Sequence, residues 1–157
     1  MSTRPLNVAV LGTGHMARTH AKNLTACEDV QLVGFCSRQQ ERATAAIAQG
    51  GFEAARAYEH FDRMLDEAKP DAVVLAIPPH AHDGEAVRAA QRGLHLLLEK
   101  PVALRLGDAQ AMLAAAESAD VVTQVVYQMR FRESVRRLHS AIQSGEAGRP
   151  TLFTGRF

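Results

Sequence analysis

The sequence predicts an α/β chain built on a doubly wound parallel sheet. Three observations carry that expectation. Apolar runs of strand length alternate with helix-period segments up to about position 130, Gly12 and Gly14 stand between the first apolar run and the first helical segment, and glycine or proline closes several of the later runs. A length of 157 residues, 46% of them hydrophobic and 22% charged, suits one packed main domain.

The elements follow in order. Leu6 to Leu11 reads as a buried first strand, and after the glycine bend Ala17, Ala21 and Leu24 recur at i, i+4 and i+7 on one helical face. Gln31 to Cys36 makes a second strand. The helix from Gln39 to Gln49 carries Ala43, Ala46 and Ile47 as its apolar stripe and stops at Gly50-Gly51. A short strand from Ala55 to Tyr58 and a helix from Phe61 to Ala68 lead to the run Asp71 to Ile77, ended by Pro78-Pro79. Next come a helix from Asp83 to Arg92 stopped by Gly93, a strand Leu94 to Leu98, a helix Asp108 to Ser118 and a strand Val121 to Tyr127. Right-handed crossovers order six such strands as 3-2-1-4-5-6, with ligands at their carboxyl ends near the switch point. Glu133 to Ser144 reads as a further helix, and a turn at GEAGRP leads into a last strand with Leu152, Phe153 and Phe157, whose open edge invites a homo-oligomeric contact.

Charge and cysteine usage exclude several function classes. Eighteen basic residues against seventeen acidic ones leave a net charge of +1, so no global field draws in nucleic acid or an anionic membrane. Cys27 and Cys36 form no CxxC pair, and the start MSTRPLNVAV has no signal-peptide core, so a reduced, cytoplasmic chain is expected. His80 and His82 make an H-x-H pair without a third ligand at suitable spacing, and no metal is expected.

Gly12-Thr13-Gly14-His15-Met16-Ala17 is G-x-G-x-x-A between a strand and a helix. The first glycine permits the tight turn, a side chain at Gly14 would block an approaching pyrophosphate, and a small Ala17 lets the helix pack close to the strand. The same glycines would also serve a plain tight turn; their context favours a dinucleotide. At the end of the second strand an acidic side chain would hold the ribose 2′-hydroxyl of NAD(H). The sequence instead has Ser37-Arg38, with Arg42 four residues on, which favours the 2′-phosphate of NADP(H) while leaving NAD(H) open. Ser37 as a helix cap and Arg38 as a solvated residue form the alternative.

At DAVVLAIPPHAH, and more at GLHLLLEKP, the chain resembles the glucose-fructose oxidoreductase and inositol dehydrogenase (Gfo/Idh/MocA) family. Glu99-Lys100-Pro101 at the end of the fifth strand carries most of that likeness, which runs from about Leu6 to the end of the chain, VVYQMRF included. The resemblance implies an NAD(P)-binding Rossmann domain over 1–127, with 128–157 a connecting helix and the first strand of a substrate domain. It matches Gly12, Thr13, Gly14, His15 and Met16 to the pyrophosphate loop and Ser37 and Arg38 to the adenosine ribose. Ile77, Pro78, Pro79 and His82 match the loop beside the cofactor. Glu99 and Lys100 match the nicotinamide end, where the lysine touches the substrate hydroxyl as the catalytic residue. A cation there has its own physical reason, because loss of hydride from a secondary alcohol develops alkoxide charge on oxygen. Two readings follow. One is the cofactor part of an NADP-dependent oxidoreductase acting on a sugar, cyclitol or related polyol; the other is a non-catalytic dinucleotide-binding module that senses cofactor or binds a partner.

Overall fold

The computed structural model describes residues 4–155. They divide into two compact units, one running to Val126 and the other starting at Tyr127.

The first unit holds six strands, β1 (Leu6–Leu11), β2 (Val30–Cys36), β3 (Arg56–Tyr58), β4 (Ala72–Leu75), β5 (His95–Leu98) and β6 (Thr123–Val125). All pairings are parallel, and the order across the sheet is β3-β2-β1-β4-β5-β6, the arrangement expected from the sequence. The crossovers are α1 (His15–Thr25), α2 (Gln40–Gly50), α3 (Phe61–Ala68), α4 (Glu85–Gln91) and α5 (Leu106–Ser118).

A parallel sheet covered on both faces needs strands that are apolar on both sides. Here Ala9 and Leu11 of β1 join Val73 and Leu75 of β4 in one core cluster, with Met64 and Leu65 of α3 and Ala86, Ala89 and Ala90 of α4. Val8 and Val10 turn the other way, joining Val74, Phe35, Ala17 and Ala21 of α1, and Ala43 and Ala46 of α2. In α3, Phe61, Met64 and Leu65 are buried on one face and Ala68 partly so. α2 stops because Gly51 takes the left-handed conformation, φ 67°, as its C-cap.

Where element bounds differ from the sequence reading, competing hydrogen bonds explain it. The run 71–77 is a strand over Ala72–Leu75; the Asp71 N–H to Asn7 O and the Ala76 N–H to Leu11 O extend its bonding to β1 by one residue at each end, and Pro78 and Pro79 have no N–H to carry it further. The strand expected from Val121 is shorter because the Val121 N–H donates to Ala116 O at the end of α5 and the Val122 N–H to His95 Nδ1. α4 begins at Glu85 because Gly84 takes φ 76° and the Asp83 N–H is bound by the Glu85 carboxylate.

The second unit contains a 3₁₀ turn, Gln128–Phe131, and α6 (Glu133–Gln143), none of whose side chains is buried. The last strand expected from Thr151 is not formed: residues 151–155 have no regular pairing, and Leu152 and Phe153 are exposed. A strand pairs only with a neighbour in space, and the described residues supply none for this segment. Phe157 lies outside the described residues. No helix among the described residues is long and apolar enough to cross a membrane. No group of three or more His, Cys, Asp or Glu among them is arranged to hold a metal.

Candidate dinucleotide cleft

β1 ends in a turn that leaves little room. The β1 pairings carry the chain to Leu11, and the Gly12 N–H donates to Cys36 O at 2.9 Å. Gly12 then takes φ +113°, and a Cβ there would fall 2.3 Å from Ala76 O. Only glycine fits both the conformation and the approach of the β4 end. Gly14 differs. Its backbone is extended, φ −70° and ψ −178°, and a Cβ would meet no protein atom within 4 Å.

Gly14 is also the N-cap of α1, with no side-chain hydrogen bond capping the helix and no acidic residue in its first turn. The first internal bond of the helix runs from Arg18 N–H to Gly14 O, so the N–H groups of His15, Met16 and Ala17 have no intrahelical acceptor. Such an end attracts an anion through its free donors and the helix dipole. The space that a Cβ at position 14 would enter is clear of protein atoms within 4 Å, beside the uncapped start of α1.

This turn opens on a cleft of about 640 Å³ at the carboxyl ends of β1, β2 and β4, a volume suited to a nucleotide-sized ligand. Of the residues singled out in the sequence, Gly12, Thr13, Gly14, Ser37, Arg38, Ile77 and Pro78 line it. Arg42 lines it too, next to Arg38. Ser37 does not cap α2, whose N-cap is Gln39 without a side-chain bond; its Oγ lies 3.5 Å from the Gln39 N–H. Arg38 is exposed and lines the cleft.

Two charged cleft residues escaped the sequence reading. Arg18 lies one helical turn beyond Gly14, its guanidinium donating to Thr13 O at 3.3 Å. Glu85 is the one buried charged residue among those described, 8% exposed, and lines the cleft beside Cys36. Burial alone would push the Glu85 carboxyl up, but His82 and the backbone N–H groups of Asp83 and Glu85 more than offset it, and the group titrates below its ordinary value. The firm hydrogen bond is from Asp83 N–H at 2.7 Å, and His82 Nδ1 lies 3.6 Å from Glu85 Oε2. Burial, followed by the charges of Glu85 and Asp62, drives the Cys36 thiol up to about 12, so it stays protonated. A signal for Glu85 was present in the sequence, since it falls four residues before Ala89 on the apolar face of α4.

The other expected site residues lie elsewhere. Pro79 and His82 line a neighbouring groove of about 470 Å³ with Arg105, Asp108 and Met112. His15 and Met16 open α1 and contribute backbone donors; neither side chain lines the cleft. Glu99 and Lys100 follow β5, in the half of the sheet that takes the second nucleotide of a dinucleotide. Lys100 is exposed and is followed by a cis peptide bond to Pro101. Glu99 is largely buried. Its Oε1 lies 2.7 Å from His20 Nε2, and its Oε2 accepts the Lys100 N–H at 3.1 Å. His20, at i+3 from Ala17 on the buried stripe of α1, was likewise legible as a polar residue that would need a partner.

Comparison with known proteins agrees with the fold. The profile of the GFO_IDH_MocA family, described as "Oxidoreductase family, NAD-binding Rossmann fold", matches residues 6–127. Myo-inositol 2-dehydrogenase of Thermotoga maritima is 26% identical over 145 residues, which are 92% of this chain and 43% of that protein. D-apiose dehydrogenase of Paraburkholderia graminis is 32% identical over 148 residues, 94% of this chain and 38% of its own length. Among solved structures, the WlbA dehydrogenase of Bordetella pertussis, in complex with NADH and UDP-GlcNAcA, superposes with a TM-score of 0.87 at 31% identity and covers 95% of this chain and 42% of that one. The chain thus spans about two fifths of the length of these relatives. A Gly12–Gly14 cradle at the switch point of a 3-2-1-4-5-6 sheet, together with a family match over most of its length, places this chain in the Gfo/Idh/MocA oxidoreductases as their NAD-binding Rossmann domain, related to sugar and cyclitol dehydrogenases.

Proposed function

We propose that this chain supplies the cofactor-binding part of a dehydrogenase that moves a hydride between NADP(H) and a secondary alcohol carbon of a sugar, cyclitol or related polyol. The observation that carries this reading is the open space at Gly14, faced by the unsatisfied N–H groups of α1 and continuous with a cleft walled by Arg38 and Arg42. The nicotinamide, when bound, accepts or donates the hydride. The residues of the chain do the rest. The first turn of α1 holds the pyrophosphate through its backbone donors. Ser37 hydrogen-bonds the adenosine ribose, and Arg38 and Arg42 pair with a 2′-phosphate, since Ser37-Arg38 stand at the end of β2 where an acidic residue would repel it. Ile77 and Pro78 supply an apolar wall on the β4 side. The Lys100 ammonium, at the carboxyl end of β5, stands at the substrate oxygen and stabilises its developing negative charge while hydride leaves carbon.

The substrate class draws on relatives named for myo-inositol and D-apiose, both polyhydroxylated. A reduced, cytoplasmic setting belongs to the same proposal. Calorimetric titration with NADPH and, separately, NADH tests it, and the absence of tryptophan makes intrinsic quenching a poor substitute. Tighter NADPH binding is expected. Arg38→Asp should weaken NADPH by about 1.5–3 kcal/mol while sparing NADH. Equal loss for both would remove the role given to Arg38, and no binding of either by the parent chain would remove the dinucleotide reading.

A further inference from the structure

The contact between His20 and Glu99 joins two parts of the domain that are 79 residues apart in sequence. His20 is on α1, five residues after the helix starts, and its ring is 13% exposed. Glu99 ends β5, and its side chain is 10% exposed. A carboxylate only accepts, so the 2.7 Å contact requires the proton on His20 Nε2 and sets that ring nitrogen as donor. The other carboxylate oxygen takes the Lys100 N–H at 3.1 Å. Both oxygens of Glu99 are therefore engaged, which makes it a clamp on the backbone at Lys100 and leaves no oxygen of it without a donor.

We propose that His20 is a positioning residue: through Glu99 it ties the helix whose N-terminus meets the pyrophosphate to the strand end that carries Lys100. This rests on the dinucleotide reading above and goes beyond it by assigning a residue to the coupling of the two ends of the site. The helix is rigid over the one and a half turns between its first donors and His20. The phosphate-binding end and the grip on Glu99 consequently move as one body, and the place of Lys100 is set relative to the bound pyrophosphate. A histidine on a buried stripe that only filled space would leave Glu99 buried without its second partner, at the cost of an unsatisfied carboxylate oxygen.

The test compares His20→Ala, His20→Gln and His20→Asn in this chain. Glutamine places an amide nitrogen as many bonds from Cα as His Nε2, so it can donate to Glu99; asparagine is one bond short. Each variant is titrated with two pairs of probes, NADH against ADP-ribose and NADPH against 2′-phospho-ADP-ribose, and thermal unfolding shows which variants remain folded. The emission of bound NADPH reads the nicotinamide surroundings directly. His20→Ala and His20→Asn are expected to lose roughly tenfold in affinity for the probes that carry nicotinamide and under twofold for those that lack it, with emission moved toward that of free NADPH. His20→Gln is expected to restore both. Equal losses within each pair, or no rescue by glutamine in a folded variant, would show a packing role and overturn the proposal. Unchanged binding in every variant would overturn it too, while the dinucleotide reading would stand. Failure of the parent chain to bind any probe would overturn both.

Discussion

A Cβ at Gly12 would fall 2.3 Å from Ala76 O, because β1 and β4 bring their ends together where the chain must turn with φ +113°. Gly14, two residues on, meets nothing within 4 Å in an ordinary conformation. The two glycines of one motif thus answer to different constraints, and substitution separates them. Gly12→Ala should cost about 1–3 kcal/mol or more in stability through strain and the backbone clash. Gly14→Ala should unfold at the temperature of the parent yet bind dinucleotide weakly, since its methyl enters only the phosphate space. Thermal unfolding and calorimetry on both variants check the contrast; a destabilised Gly14→Ala would show that the turn itself requires that glycine.

Phe35 and Phe52 stack with centroids 5.5 Å apart and an interplanar angle of 8°. Phe35 is fully buried in the cluster beneath α1 and α2. Phe35→Ala should remove about 3–5 kcal/mol, a large share of the stability of a domain this size. Urea unfolding should show a lower midpoint with an unchanged slope.

The thiols differ in reactivity for a physical reason. Cys36 is 2% exposed with its pKa driven to about 12 by burial, then by Glu85 and Asp62, whereas Cys27 is exposed. One thiol per chain should react with a disulfide reagent under native conditions at pH 8, and two in denaturant. Modification of Cys36 in the folded chain would mean that the end of β2 opens on the timescale of labelling.

Acid should weaken the fold through two carboxylates. Glu85 is held below its ordinary value of 4.5 by His82 and backbone donors despite burial, and Asp71 below 3.8, first by its hydrogen bond from Arg4. A depressed folded-state value means the stabilisation is complete above the unfolded-state value and is lost as pH falls through the folded one. The melting temperature should therefore drop as pH is lowered below about 4.5. Glu85→Gln should lower it at pH 7 and flatten, without abolishing, the decline in acid, because Asp71 still titrates. An acid limb as steep as that of the parent would show that Glu85 does not contribute.

The sheet, its order and its glycine turn were determined by the sequence alone. Apolar period, breaker residues and crossover handedness are local or chiral properties, and G-x-G-x-x-A between a strand and a helix specifies a tight turn that opens the helix. Arg38 is singled out by its position near the end of β2 and Ile77 through the family resemblance, and both line the cleft because strand ends converge at the switch point. Only the tertiary structure decided the rest. His20 meets Glu99, Glu85 is buried beside Cys36, and His82 falls in a neighbouring groove. Sequence shows that a polar residue lies on a buried stripe, but its partner depends on how α1 packs over the sheet and how the β5 strand ends. The last strand failed for the same reason: pattern indicates the propensity of Thr151 to Phe153, while pairing requires a neighbour in space.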